Sequence, residues 1–413
     1  MTAGPDAVAA FERLWAELAP VGRDPASGGY LRYAFTAPEL RLRDWFSDQA
    51  DRRDLAMEQD GNGNLIAWWG DPRAGDAVAT GSHFDSVPHG GAYDGPLGIV
   101  SALLAVDALR AAGVTPHRPI ALVVFAEEEG ARFGVPCLGS RLLTGALDPA
   151  SAAALTDRDG ISLASALGAD PAGARPDLLA RIGAFVELHV EQGRALADLD
   201  APVGVADAIW PHGRWRLEIT GQGNHAGTTR MADRRDPMLT FAATVLAVDR
   251  QARLRGAHAT IGRVAVRPNA TNAVPSLVTG WLDARAADPD TLTGLVEAVR
   301  ADATERGGHD GTTVTLARES FSPVVTFDPR LLAGPLASAA GMPGVGPPGA
   351  GVPVLPTGAG HDAGVLAAHV PTGMLFVRNP TGISHSPAEH ATGADCAAGV
   401  AALATVLREL ACR

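Results

Sequence analysis

The chain has 413 residues, 46% of them hydrophobic, a length that fits two domains or one large domain carrying an insertion. Its net charge of −12 argues against a basic face, and so against nucleic acid or an anionic membrane surface as a partner. All 34 basic residues are arginine, which excludes a lysine Schiff base, a P-loop lysine and a Ser–Lys dyad.

In chain order, the opening "MTAGPDAVAAFERLW" lacks a basic segment followed by an apolar one. No apolar run approaches the ~20 residues that span a bilayer, so a soluble, cytoplasmic protein is expected. Residues 7–19 and 39–50 read as helices. "DAVATGSHFDSV" (76–87) reads as a strand running into a loop, and "GPLGIVSALLAVDALRAAG" (95–113) as a helix ending at Gly113. "PIALVVFAEEE" is a continuous apolar run of the kind buried in a parallel sheet. Strand, helix, strand in that order predicts an α/β domain whose ligands sit at the carboxyl ends of strands. The "GSHFDS" loop and Glu127, Glu128 and Glu129 fall at such ends.

From Pro211 the texture changes. "RWRLEITGQG", "TIGRVAVRP", "SLVTGWLDARA" and "TTVTLARES" read as strands, and "DPMLTFAATVLAVDRQARL" and residues 290–305 as helices. The Pro- and Gly-dense "GMPGVGPPGAGVPVLPTGAG" (341–360) reads as loop. It leads to the apolar strand "TGMLFV" (372–377). The fold class expected is therefore α/β, a catalytic domain with a mixed, mostly parallel sheet covered by helices, formed by residues 1–210 and 329–413. Residues 211–328 would form an inserted α+β lid or dimerisation domain. Cys137, Cys396 and Cys412 are scattered, with no CxxC spacing, and suit neither a disulfide framework nor a thiolate metal site.

Three adjacent carboxylates at a strand end repel one another, and divalent cations would cancel that charge. His83 in "GSHFDS", Asp94 in "GAYDGPLG", Glu129 in "AEEEG", His189 in "ELHVEQG" and His385 in "GISHSPAEH" all fall at predicted strand ends or in loops. Imidazole with carboxylate suits Zn²⁺, Mn²⁺, Co²⁺ or Ni²⁺. Taken singly, each of the five also reads as an ordinary hydrogen-bonded loop residue.

"GSHFDSVPHGGAYDGPLG", "FAEEEGARFG", "ELHVEQG", "HAGTTRMADRRDP" and "GAGHDAG" together resemble the M20 metallopeptidase-like amidohydrolases, in particular their hydantoinase/carbamoylase branch. That branch includes N-carbamoyl-L-amino acid hydrolase, allantoate amidohydrolase and β-ureidopropionase. The resemblance implies two divalent ions, Zn²⁺ or Mn²⁺ foremost, bridged by Asp94, with His83 and His189 on one and Glu129 and His385 on the other. It implies Glu128 as the general base and His225 as an oxyanion donor, often across a homodimer. It also implies Arg285 on the carboxylate of a small-molecule substrate, with Gln192, Asn272 and Gly360 around the same substrate, and a cis peptide after Asp94. Asp85 would hydrogen-bond the His83 imidazole and fix its tautomer. His361 and Asp362 would support the site from behind, or merely cap a loop.

Plainer readings stand beside these. Glu127 reads as a solvated or arginine-paired carboxylate. Arg285 also reads as a salt bridge within the inserted domain, and Asn272 as a turn residue before Pro275. Arg378 and Asn379, in "FVRNPTGISH", depart from the family's pattern; they would add a polar contact for the substrate or simply belong to a surface loop. Three functions stay open: hydrolysis of an N-carbamoyl or ureido acid, hydrolysis of N-formyl, N-acyl or dipeptide substrates on the same fold, and a non-catalytic metal-dependent binding module. Glu128 argues against the last, since binding alone needs no base.

Overall fold

A computed structural model describes residues 5–340 and 353–412. They divide into two compact units, Met1–Asp207 with Thr326–Arg413, and Ala208–Val325.

The first unit is built on a nine-stranded sheet. Its strands are β1 (Ala56–Gln59), β2 (Leu65–Trp69), β3 (Ala77–His83), β4 (Ile120–Phe125), β5 (Ile182–Val190) and β6 (Val203–Ile209), joined from later in the chain by β13 (Val325–Thr326), β14 (Val354–Thr357) and β15 (Thr372–Val377). The order is β1-β2-β4-β3-β5-β15-β6-β13, with β14 on β6. The four central strands, β4-β3-β5-β15, run parallel, and β2 and β6 flank them antiparallel. Parallel strands covered on both faces must be apolar throughout, and β4 ("IALVVF") and β15 ("TGMLFV") are buried at every residue.

One covering layer is the helix Pro96–Ala111, buried along most of its length, against the C-terminal helix Gly393–Ala411. Pro96 at the first turn and the missing side chain of Gly98 let the former helix sit close on β5; a Cβ on Gly98 would lie 2.5 Å from the Leu188 carbonyl oxygen. The loop expected over 341–360 lies outside the described residues for 341–352. Within its remainder Val354–Thr357 is a strand, because its backbone pairs with β6.

The second unit is a four-stranded antiparallel sheet of β7 (His212–Thr220), β9 (His258–Arg267), β11 (Leu277–Arg285) and β12 (Thr313–Ser322), in the order β12-β7-β11-β9. A separate two-stranded ribbon pairs β8 (Asn224–His225) with β10 (Ala273–Val274). The alternation in "RWRLEIT" buries Trp215, Leu217 and Ile219 and exposes Arg214 and Arg216. Helices Pro237–Arg255 and Pro289–Asp310 close the buried face, contributing Phe241, Val248, Leu292, Leu295 and Val299 to one core.

Candidate functional site

The carboxyl ends of the four parallel strands meet at one place. His83 ends β3, the glutamate triplet follows β4, His189 lies near the end of β5, and the His385 loop follows β15. Asp94 arrives from the loop after β3, at the start of the helix Pro96–Ala111. No cis bond follows it: among the described residues the cis peptide is Arg267–Pro268. Gly95 makes the turn instead, at φ +87°, and a side chain there would press within 2.6 Å of the His83 ring.

Asp94 is the centre. Its Oδ1 lies 3.5 Å from His83 Nε2 and 3.2 Å from His189 Nε2. Its Oδ2 lies 3.4 Å from His385 Nε2, which is itself 3.5 Å from Glu129 Oε2. The two imidazoles on the first side are fixed by their far nitrogens, His83 Nδ1 on the Asp85 carbonyl oxygen at 3.0 Å and His189 Nδ1 on the Val190 carbonyl oxygen at 2.9 Å. Among the described residues, both Nε2 atoms and Glu129 Oε1 are buried without a hydrogen-bond partner. Orphaned donors and acceptors converging in a dry pocket are what a cation would satisfy. Groups able to hold an ion include His83–Asp94–His189 and Asp94–Glu129–His385, and a third, Glu187–His189–His361.

The charge balance points the same way. Burial works to raise the Asp94 carboxyl, but the imidazoles of His189, His385 and His83 outweigh it and hold Asp94 well below the usual carboxylate range. Burial, then the neighbouring Asp94 charge, pushes Glu129 up to about 7. Burial raises Glu128 well above its ordinary value, and the acids Asp362, Glu129 and Asp85 add to that. The Asp94 carboxylate raises His385 to about 9. The pocket is short of positive charge.

Three expectations need correction. The Asp85 carboxylate does not take the His83 proton; its Oδ1 is 3.7 Å from Nδ1. It accepts instead the backbone N–H groups of Glu128 at 3.1 Å and Glu129 at 3.0 Å, because the turn after β4 brings both to it. Among the described residues, Glu127 is neither solvated nor paired with a guanidinium. At φ +54° it turns inward, fully buried, and accepts the N–H groups of Arg132 at 2.8 Å and Phe133 at 2.6 Å. Arg378 and Asn379 are structural. Arg378 is held by Asp395 and Asp200 at 2.8 Å each, and Asn379 is buried and bonded to Ile383 and Thr381.

Gln192 donates to Asp94 Oδ2 at 2.8 Å and sits 3.3 Å from His385 Nε2, so it joins this cluster. Gly360 is exposed beside buried His361, whose ring lies 4.6 Å from that of His189. Asp362 accepts a hydrogen bond from Ser140. Residues not singled out from the sequence also line the cluster. Glu187 shares a strand face with His189, a period-2 signal that was there to be read. Cys137 Sγ donates to Glu128 Oε1 at 3.5 Å, and Glu389 accepts the N–H of Asp94; neither contact has a local sequence signal.

The other three candidates lie in the second unit. His225 is exposed, its Nδ1 accepting from the Gly227 N–H at 3.0 Å, and it pairs in register with Ala273. Asn272 accepts the Ala226 N–H at 2.9 Å, so the two sit together. Arg285 ends β11, with Nε on Asp283 at 2.9 Å.

The profile of Peptidase family M20/M25/M40 matches residues 79–409. The chain belongs to this family. This M20 chain is similar to the N-carbamoyl-L-amino acid amidohydrolase of Geobacillus stearothermophilus, 37% identical over 97% of this chain and 98% of that protein. It is also similar to the allantoate amidohydrolase of Escherichia coli, 32% identical over 97% and 98%. A crystal structure of an amidase of the hydantoinase/carbamoylase family from Burkholderia multivorans aligns with a TM-score of 0.85 at 31% identity, covering 98% of each chain. The M20 chain is a hydrolase of carbon–nitrogen bonds, and the family is metal-dependent.

Proposed function

We propose that this M20 enzyme hydrolyses a linear N-carbamoyl or ureido acid, of the N-carbamoyl-L-amino acid or allantoate type, with two divalent metal ions. The observation that carries the reading is the division of Asp94, with Oδ1 facing His83 and His189, and Oδ2 facing His385 beside Glu129. His83, Asp94 and His189 would hold one ion and Asp94, Glu129 and His385 the other, and these donors suit Zn²⁺ or Mn²⁺, with Co²⁺ or Ni²⁺ fitting the same set. Ions held there supply a lowered pKa for water and polarisation of a carbonyl oxygen.

The chain's own residues do the rest. Glu128 belongs to neither donor group; it stands 3.7 Å from His83 Nε2 with its backbone pinned by Asp85. It takes a proton from water as the hydroxyl adds to the carbamoyl carbon, then returns that proton to the nitrogen as the C–N bond breaks. A carbamate so released decomposes to ammonia and CO₂. His225 donates to the oxyanion, and Arg285 forks onto the substrate carboxylate. Gln192, Asn272 and the backbone of Gly360 complete the recognition.

β11 separates two of these contacts. From Leu277 to Arg285 it runs eight residue steps, about 26 Å, and Asn272 with His225 lies at the Leu277 end. A ureido acid is far shorter, so a pocket using all of them draws on two copies of the chain. A homodimer also suits the edge strand β9, which exposes Val264, and the helix Pro237–Arg255 packed on it, which exposes Leu239, Val245 and Leu246. The free thiols of Cys137, Cys396 and Cys412 suit the cytoplasm, and no described helix is long and apolar enough to cross a membrane.

The test is a substrate panel on protein stripped and refilled with Mn²⁺ or Zn²⁺, scored for ammonia and amine release. Turnover of N-carbamoyl amino acids or allantoate, well above N-formyl, N-acyl and dipeptide substrates, is expected. The reverse order would replace the reading.

A further inference from the structure

Glu389 is 4% exposed and belongs to neither donor group around Asp94. Its Oε1 accepts two backbone N–H groups from the far end of the chain, Tyr93 at 2.9 Å and Asp94 at 3.0 Å. Its Oε2 accepts the Ser384 hydroxyl at 3.0 Å. Ser384 precedes His385, and its Oγ also lies 3.4 Å from Asp94 Oδ2. One buried carboxylate thus ties the loop carrying Asp94 to the loop carrying His385, residues almost 300 positions apart.

Both loops need such a tie. His385 sits at φ +54°, a left-handed backbone that a β-carbon disfavours, and its side chain is 49% exposed, so little packing holds it. The Tyr93–Asp94 turn is wrapped closely around the carboxylate: a Cβ on Gly91 would overlap Glu389 Oε1. The ring of the next residue, His390, meets Tyr93 at a near right angle, and Tyr93 also stacks on Trp15 at 4.6 Å. A Glu carboxylate next to the Asp94 carboxylate is a poor choice for stability alone, since the two charges repel. Its geometry fits a different task.

We infer that Glu389 is a positioning residue: through Tyr93 N–H, Asp94 N–H and Ser384 it holds Asp94 and His385 within mutual reach of one ion. This rests on the proposed metal centre. Outer partners of this kind typically change ion affinity about 10–100-fold when removed.

The test is calorimetric titration of Mn²⁺ into stripped protein, with ion content by mass spectrometry, on four forms: wild type, Glu389→Ala, Glu389→Gln and Ser384→Ala. Wild type is expected to take two ions. Glu389→Ala should bind the weaker ion at least tenfold less tightly. Glu389→Gln keeps an oxygen for the two N–H groups and should stay within about threefold of wild type. Ser384→Ala cuts the tie from Glu389 to the His385 loop together with the weaker 3.4 Å contact to Asp94 Oδ2; it should lie between them and supplies the answer if Glu389→Ala does not fold. Wild-type affinity in both Glu389→Ala and Ser384→Ala, whatever their melting temperatures, would overturn the inference, as would Glu389→Gln falling as far as Glu389→Ala. A wild type that binds no divalent ion would instead remove the metal centre itself.

Discussion

Asp85 offers the most direct test of how the pocket is assembled. Its carboxylate, 1% exposed, accepts the N–H of Glu128 on Oδ1 and of Glu129 on Oδ2. Replacing it by alanine leaves two donors without partners, the Glu128 N–H buried and the Glu129 N–H partly so. Each such group costs about 1–3 kcal/mol, so Asp85→Ala should destabilise by about 2–6 kcal/mol. The low end is expected without ions, because removing one negative charge also relieves Glu127 and Glu128, both of which the Asp85 charge pushes upward. Asp85→Asn keeps one acceptor but sets an amide N–H₂ against the second N–H; its loss should be roughly half as large. Urea unfolding of chelated protein reads the stability, and turnover of the Mn²⁺-loaded enzyme reads the site. Since Glu128 and Glu129 are aimed by the same bonds, turnover should fall about 10–100-fold in Asp85→Ala. An Asp85→Ala protein with an unchanged urea midpoint and turnover within threefold of wild type would refute the reasoning.

Other outcomes are expected. Glu128→Gln should keep both ions but lose about 10²–10⁴-fold in kcat; near-normal turnover would remove Glu128 as the base. Chelation should abolish activity and added Mn²⁺, Zn²⁺ or Co²⁺ restore it, whereas a fully active metal-free protein would contradict the proposed centre. Arg285→Ala should raise KM for carboxylate substrates at least tenfold with little change in melting temperature; an unchanged KM would return Arg285 to a purely structural role. Leu246→Arg, at a side chain 73% exposed, should leave folding intact and shift the protein toward monomer by light scattering. A dimer of undiminished stability would place the interface elsewhere.

Much of the fold was legible because the sequence is unambiguous where packing is simple. β4 and β15 are apolar at every position since both faces of a parallel sheet are covered, and β7 alternates since only one face is. β5 was harder. "IGAFVELHV" carries Glu187 and His189 inside an otherwise apolar run, and those two polar residues face the pocket. A strand that breaks the apolar rule at a site is the expected way for pattern reading to fail. β14 was hidden by its Pro- and Gly-rich surroundings, since its pairing with β6 is a long-range fact. Asp85 misled for a related reason. Two residues from His83, it suggested an imidazole partner, but its acceptors were needed 43 and 44 residues away. The ties of Glu389 to Tyr93 and Asp94 could not be read at all, because those partners lie almost 300 residues earlier.

The glutamate triplet shows how three like residues acquire three roles from the backbone alone. β4 stops at Phe125, and the chain turns at Glu127 (φ +54°) and again at Gly130 (φ +64°). The first turn sends Glu127 inward onto the N–H groups of Arg132 and Phe133, where burial, and then the Asp85 charge, pushes its carboxyl to about 8. Oε1 of Glu127 is thereby occupied as an acceptor within its own loop. Glu128 and Glu129, held by the two oxygens of one aspartate, diverge: one toward His83 and Cys137, the other toward His385. A left-handed backbone at a residue with a β-carbon costs about 1–2 kcal/mol, and the site carries this strain at both Glu127 and His385. An ordinary strand continuing through the triplet would have put Glu128 on the face opposite its neighbours. The strained turn removes that alternation, so the carboxylates of Glu128 and Glu129 both reach the pocket around Asp94.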